Sequence, residues 1–248
     1  LTVLLQFLGG LIVLIFAPLF KFQFPSSYKV WTFLGIACIF YAIADRVNTT
    51  ARRGLDVSTY SILGQLSTVF LILWGIIFFK ERIVLKKIIG AALIIIGNVI
   101  VLYQKGKFEL NKYVIFSLIG NLALSIGVSV DVGISDQFNM PIYVALTLMV
   151  PSFLVLLVDK INILDVVNEF KDGNKKAILL VGSSWGIMLV LMLRAYQYGS
   201  VTTIAPIASI TTILNVFVAY FLLKEKSSLL KKVVAASIVV LGIILIKI

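Results

Sequence analysis

The chain has no histidine and one cysteine, Cys38, which lies inside an apolar run. A lone thiol closes no internal disulfide, and without imidazoles the usual Cys/His metal sites and Cys–His catalysis are excluded. Cys38 reads as a small buried hydrophobe. Charge is scarce too: 13% of the 248 residues are charged against 60% hydrophobic, too little polar surface to cover a soluble globule. No Gly-x4-Gly-Lys-Ser/Thr occurs, so there is no nucleotide-binding loop. The paired ionisable residues at depth that a membrane-embedded enzyme needs are missing as well. No catalytic residue, metal ligand or cofactor is therefore expected.

What remains is apolar length. The stretches 57–79 and 195–223 carry no charge at all, and each exceeds the about 20 residues of helix that cross a bilayer core. These runs are continuous rather than alternating, which excludes a membrane β-barrel. The 22 basic residues outnumber the 11 acidic ones and collect at the ends of the runs. Lys and Arg meet lipid headgroups there, so the excess points to a bilayer and not to nucleic acid. Spans are expected at 1–20, 30–44, 57–79, 86–103, 113–130, 141–158, 177–193, 201–223 and 233–246. The first has no basic region before it and no small-residue cleavage site after it, so it is not read as a signal peptide. Pro151 kinks or loosens the sixth span, and 163–170 reads either as a short amphipathic surface helix or as part of a solvated loop.

The sequence also repeats itself. Val57, Thr59, Thr68, Lys80 and Glu81 return in register as Val201, Thr203, Thr212, Lys224 and Glu225. After one inserted residue, Leu85-Lys86-Lys87 returns as Leu230-Lys231-Lys232 and Gly97 as Gly242. Two homologous halves are expected, 1–104 and 112–248, joined by a linker at 105–111.

Candidate site residues come from polar stripes inside the runs. Ser61, Gln65 and Thr68 share one helical face, as do Asn121, Ser125 and Ser129. Ser184 sits beside Trp185, and Ser209 and Thr212 follow Pro206. Unsatisfied polar groups in hydrocarbon cost several kcal/mol each, so these side chains are expected to turn inward around a cavity. Tyr41 and Tyr60 would close it with aromatic faces, which suits an apolar or cationic solute. The competing reading is glue between helices, at about 0.6 kcal/mol per hydrogen bond. Asp45 and Asp131 are the carboxylates available to carry a proton; both stand at span ends and read as interfacial caps.

The repeated phrase has a recognisable form. Val201-Thr-Thr-Ile-Ala-Pro206-Ile, an apolar run, Lys224-Glu225-Lys226, Leu230-Lys231-Lys232 and then 237–242 resemble the end of an EamA-type domain, the repeat of the drug/metabolite transporter superfamily. Lys80-Glu81-Arg82 and 85–97 carry the same signature in the first half. The resemblance implies ten helices in two five-helix repeats of inverted topology. The second half supplies five and the first half four, so the expected fold is an all-α polytopic membrane protein of nine transmembrane helices, with the missing helix before Leu1. Ile62 stands where the second half has Pro206, so the resemblance does not carry a helix break into the first half. With the family's cytoplasmic C-terminus, the basic residues lie mostly on the outer side, against the positive-inside rule.

The implied function is a secondary transporter or exporter of small organic metabolites or drugs in the cytoplasmic membrane. It would work by alternating access around a central cavity. The expected partners are a small-molecule substrate, the lipid bilayer and a coupling ion, H+ or Na+. The alternatives are a flippase for lipids or lipid-linked sugars on the same fold, and a non-transporting membrane scaffold.

Overall fold

The computed structural model describes residues 1–78, 84–104, 107–108, 110–198, 211–212, 214–224 and 229–247. Its helices are α1 (Thr2–Leu14), α2 (Tyr28–Arg52), α3 (Val57–Gly64), α4 (Leu66–Phe78) and α5 (Leu85–Leu102). They continue with α6 (Lys112–Ile134), α7 (Met140–Val158), α8 (Ile163–Asp172) and α9 (Lys175–Tyr198). A helical stretch at 214–221, here α10, and α11 (Leu229–Lys247) complete them. The one pairing of strands among the described residues is a two-residue hairpin, Tyr103–Gln104 with Lys107–Phe108, at the start of the expected linker.

Five stretches are long and apolar enough to cross a membrane: Tyr28–Arg52, Val57–Phe78, Lys112–Gln137, Met140–Val158 and Lys175–Ala195. Thr2–Leu14 and Ile88–Leu102 are apolar but shorter. The first expected span is thus a 13-residue helix, about 20 Å long, followed by a 3-10 turn at Ala17–Leu19. The helices turn large apolar side chains outward, Ile15, Leu180, Leu191 and Phe221 each more than 60% exposed. That is the surface of a protein whose solvent is hydrocarbon.

Asparagine starts four of the helices. Asn111, Asn139, Asn162 and Asn174 each accept, through the side-chain oxygen, a hydrogen bond from a first-turn backbone N–H of α6, α7, α8 and α9 in turn. The expected surface helix is α8, and none of its residues is buried.

The described chain divides into two compact units, and both dividing points in the first 134 residues fall inside helices, α2 and α6. One unit is Leu1–Arg46 with Gly127–Tyr198. Its core holds Val13, Leu34, Phe138, Tyr143, Val144 and Leu148. Here α1 lies between α7 and α9. A Cβ on Gly9 would stand 2.8 Å from the Gly182 carbonyl oxygen, and one on Gly186 2.6 Å from that of Gly9. The order of these approaches makes α1 and α9 parallel, on a small-xxx-small face that lets backbones close together. Asn139 is fully buried, and its Nδ2 donates to the carbonyls of Ala17, Phe20 and Lys21 at 3.0–3.3 Å, fixing the loop between α1 and α2.

The other unit is Val47–Ile126 with Gly199–Ile248, and its core holds Ile62, Ile94, Val216, Ala235, Ala236 and Val239. Here α5 and α11 run antiparallel. A Cβ on Gly242 would lie 2.6 Å from the Gly90 carbonyl oxygen, and one on Gly97 2.9 Å from that of Ala235. In the register of the sequence repeat, Gly97 corresponds to Gly242 and Gly90 to Ala235, so each approach is the image of the other.

The third expected span is broken despite having no proline. Between α3 and α4 the Gln65 N–H turns to the Ile62 carbonyl (3.1 Å) and the Thr68 N–H to that of Gln65 (3.0 Å), three residues back instead of four. Gly64 precedes the break, and Ser67 Oγ donates to the Gly64 carbonyl at 2.7 Å. Lys232 is buried and pairs with Asp56 at 2.7 Å.

Candidate functional site

In the second unit, the break at Gln65 opens backbone that polar side chains then meet. Asn121 is buried, and its Nδ2 donates to the Leu63 carbonyl at 3.1 Å and to Ser117 Oγ at 3.3 Å. Gln65 Nε2 donates to Thr212 Oγ1 at 2.7 Å, and Asn215 Nδ2 to Ser61 Oγ at 3.1 Å. The α3–α4 stripe therefore meets Thr212 and Asn215 in antiparallel register. Ser125 is held by Trp74, whose Nε1 donates to its Oγ at 2.8 Å, and its own hydroxyl donates to the Leu122 carbonyl at 2.7 Å. Thr68 is half-buried. Tyr60 is half-buried under Arg52, whose guanidinium lies 5.0 Å from the ring centre and donates to the hydroxyl at 3.3 Å. Pro206 and Ser209 lie outside the described residues.

The other candidates belong to the first unit. Tyr41 on α2 packs its ring on Gly127 of α6, where a Cβ would stand 2.8 Å from the ring carbons. Its hydroxyl donates to Asp131 Oδ2 at 2.5 Å, while the hydroxyl of Tyr143 on α7 donates to Oδ1 at 2.6 Å. Asp131 is 5% exposed. A second relay lies nearby in the chain: Ser152 Oγ donates to Gln6 Oε1, and Gln6 Nε2 donates to Asp45 Oδ2 at 2.6 Å. Asp131 and Asp45 are therefore not interfacial caps. Asp131 joins α2, α6 and α7 through two tyrosine hydroxyls and Asp45 holds the Gln6 amide of α1, because α2 and α6 run on past the expected span ends. Ser129 is half-buried, Trp185 is half-buried, and Ser184 is exposed rather than turned inward.

A cavity of about 480 Å³ opens in the first unit, lined by Phe20, Lys21, Val132, Ser135, Asp136 and Arg194 among others. A smaller one of about 150 Å³ lies in the second unit beside Asp56, Thr59 and Asn111. Neither is lined by an expected site residue. Sequence reasoning also passed over Gln6, Trp74, Tyr143 and Ser152. A lone amide in an apolar run was the available signal for Gln6. The sequence held no signal that singled out Tyr143 or Trp74.

Among the described residues no group of His, Cys, Asp and Glu is arranged to hold a metal ion. Residues 1–103 match the EamA-like transporter family, the family that the repeated phrase resembles. No curated protein matches the chain. The match is confined to those first 103 residues, and the apolar helices mark a multi-pass membrane protein.

Proposed function

We propose that the chain is a secondary transporter, moving a small organic solute across the cytoplasmic membrane by alternating access between two inverted repeats of a nine-helix fold. The observation that carries this reading is the reciprocal packing of α5 on α11. Gly90 against Gly242 and Ala235 against Gly97 are equivalent positions of the two sequence halves, meeting antiparallel as a two-fold axis in the membrane plane requires. Inverted repeats allow the two halves to exchange conformations and so exchange the open side. The facing stripes around Gln65, Asn121 and Thr212 are the proposed solute contacts. Their hydrogen bonds to one another and to the backbone at the Gln65 break keep them satisfied while no solute is bound. The transported species is a small organic metabolite or drug, with an H+ or Na+ gradient as the energy source.

The test is flux into vesicles over a panel of amino acids, nucleosides and cationic drugs. Gln65→Leu and Asn121→Leu are expected to abolish flux of whichever solute moves while leaving expression and melting temperature near those of the parent chain. Normal flux in both variants, or failure of both to fold, would remove these residues from the site. Absence of flux for every solute would remove the transporter reading.

A further inference from the structure

The carboxylate of Asp131 has no role in the reading above, and its surroundings are specific. Both of its oxygens are taken by tyrosine hydroxyls, Tyr41 from α2 and Tyr143 from α7. Tyr143 is fully buried and Asp131 nearly so. The ionisable groups that face it are those two tyrosines and, from α2, the thiol of Cys38. No Lys or Arg among the described residues is paired with it. A carboxylate shut away from water needs a cation, strong donors or a proton. Two neutral hydroxyls at one carboxyl, with no oxygen cage around it, leave the proton as the neutralising partner.

A cavity that could supply the proton is lined by close neighbours of Asp131 in the chain. The 480 Å³ cavity is lined by Val132, next to Asp131 in the chain, and by Ser135, one helical turn further on the same face of the α6 continuation. Its charged lining is Lys21, Asp136 and Arg194, so water and ions have polar footing there.

We propose that Asp131 is a reversible proton-binding site, filled from this cavity, whose occupancy resets the link between α2, α6 and α7. The ionised carboxyl accepts from both tyrosines. Once an Oδ takes a proton from water it becomes a donor, and the tyrosine on that oxygen must turn its own hydroxyl from donating to accepting. One O–H bond forms on Asp131, one breaks in the water species that delivered the proton, and no other covalent bond changes. On the transporter reading, which this step rests on, the switch is where a proton gradient enters the cycle. Gly127 makes it possible, since any side chain there would displace the Tyr41 ring.

Infrared difference spectra of the purified full-length chain, recorded between neutral and acid pH, test the site without any solute. The expected result is an acid-induced carboxylic-acid carbonyl band with a simultaneous change in tyrosine ring modes, both lost in Asp131→Asn. Tyr41→Phe and Tyr143→Phe, which keep the ring packing, should retain the carbonyl band, displace its titration midpoint and reduce the tyrosine signal. If Asp131→Asn fails to fold, the two phenylalanine variants carry the test. No carbonyl band, or one that all three variants leave unchanged, overturns the proposal. A vesicle experiment then separates site from coupling: flux of a solute that moves should respond to an imposed pH gradient in the parent chain and not in Asp131→Asn. A titrating band with gradient-independent flux would refute the coupling, whereas no flux for any solute would refute the transporter reading and leave the site to the spectra.

Discussion

Each unit contains one helix pair closed on glycine, and the two pairs are built in opposite senses. In the first unit α1 and α9 run parallel, Gly9 between Gly182 and Gly186. In the second, α5 and α11 run antiparallel, and the approach of Gly242 to the Gly90 carbonyl has its image in that of Gly97 to the Ala235 carbonyl. The parallel pair joins segments with no shared phrase; the antiparallel pair joins the two copies of one phrase. Close backbone packing by itself therefore says nothing of internal symmetry, whereas reciprocal packing does. The units differ also in what they hide. The second buries a cation, Lys232, against the Asp56 carboxylate, while the first buries a carboxyl, Asp131, between two neutral hydroxyls.

The largest expected effect comes from filling the glycine contacts. Gly242→Leu forces a side chain toward the Gly90 backbone, and Gly186→Leu toward that of Gly9. Each should cost about 3 kcal/mol or more in thermal unfolding in detergent, since backbone cannot step aside as a side chain can. Tolerance of Gly242→Leu beside loss of folding in Gly186→Leu would mean that the reciprocal pair is loosely packed, which would break the comparison.

Next is Asn139→Ala, expected to lower stability by about 2 kcal/mol because it removes a helix cap and takes a side-chain donor from the part-buried carbonyls of the α1–α2 loop. Asn111→Ala in the other unit removes a partly exposed cap alone, and should cost about 1 kcal/mol in the same assay. Equal costs would show that the loop gains nothing from Asn139.

Gln65→Leu should cost only about 0.6 kcal/mol of stability, the mean worth of a hydrogen bond between helices in a membrane. A loss several times larger would identify the Thr212 link as structural glue and not as a site held ready for solute. The smallest effect belongs to Arg46→Ala. Its 2.6 Å pair with Asp159 is half exposed on the arginine side, so its removal should change stability by less than about 0.5 kcal/mol.

How much of this was readable in the sequence depended on what each signal measures. The α5/α11 echo was readable because Gly90, Gly97, Ala235 and Gly242 keep one spacing in both halves. The Ser61–Gln65 stripe was readable as a face, but its partners Asn215 and Thr212 were not, since periodicity locates a face and not what meets it. Ser184 was expected to turn inward because a bare hydroxyl is costly in hydrocarbon. A serine can instead satisfy itself on its own helix, as Ser183 does by donating to the Leu179 carbonyl at 2.5 Å, so an outward Ser184 is no contradiction in energy. The break at Gln65 was missed because it was sought as a proline. Asp131 was misread because nearness to the end of an apolar run was taken for nearness to water.

The hold of Asn139 on the loop before α2 has a further consequence in the order of synthesis. The three carbonyls it serves precede it by 118–122 residues. At about 5–20 residues per second, a ribosome needs on the order of ten seconds to reach residue 139 after the loop has left it. Throughout that interval the carbonyls of Phe20 and Lys21 must be served by water or headgroups, so the turn between the first two helices is formed twice: loosely at insertion, and finally only when the start of α7 arrives.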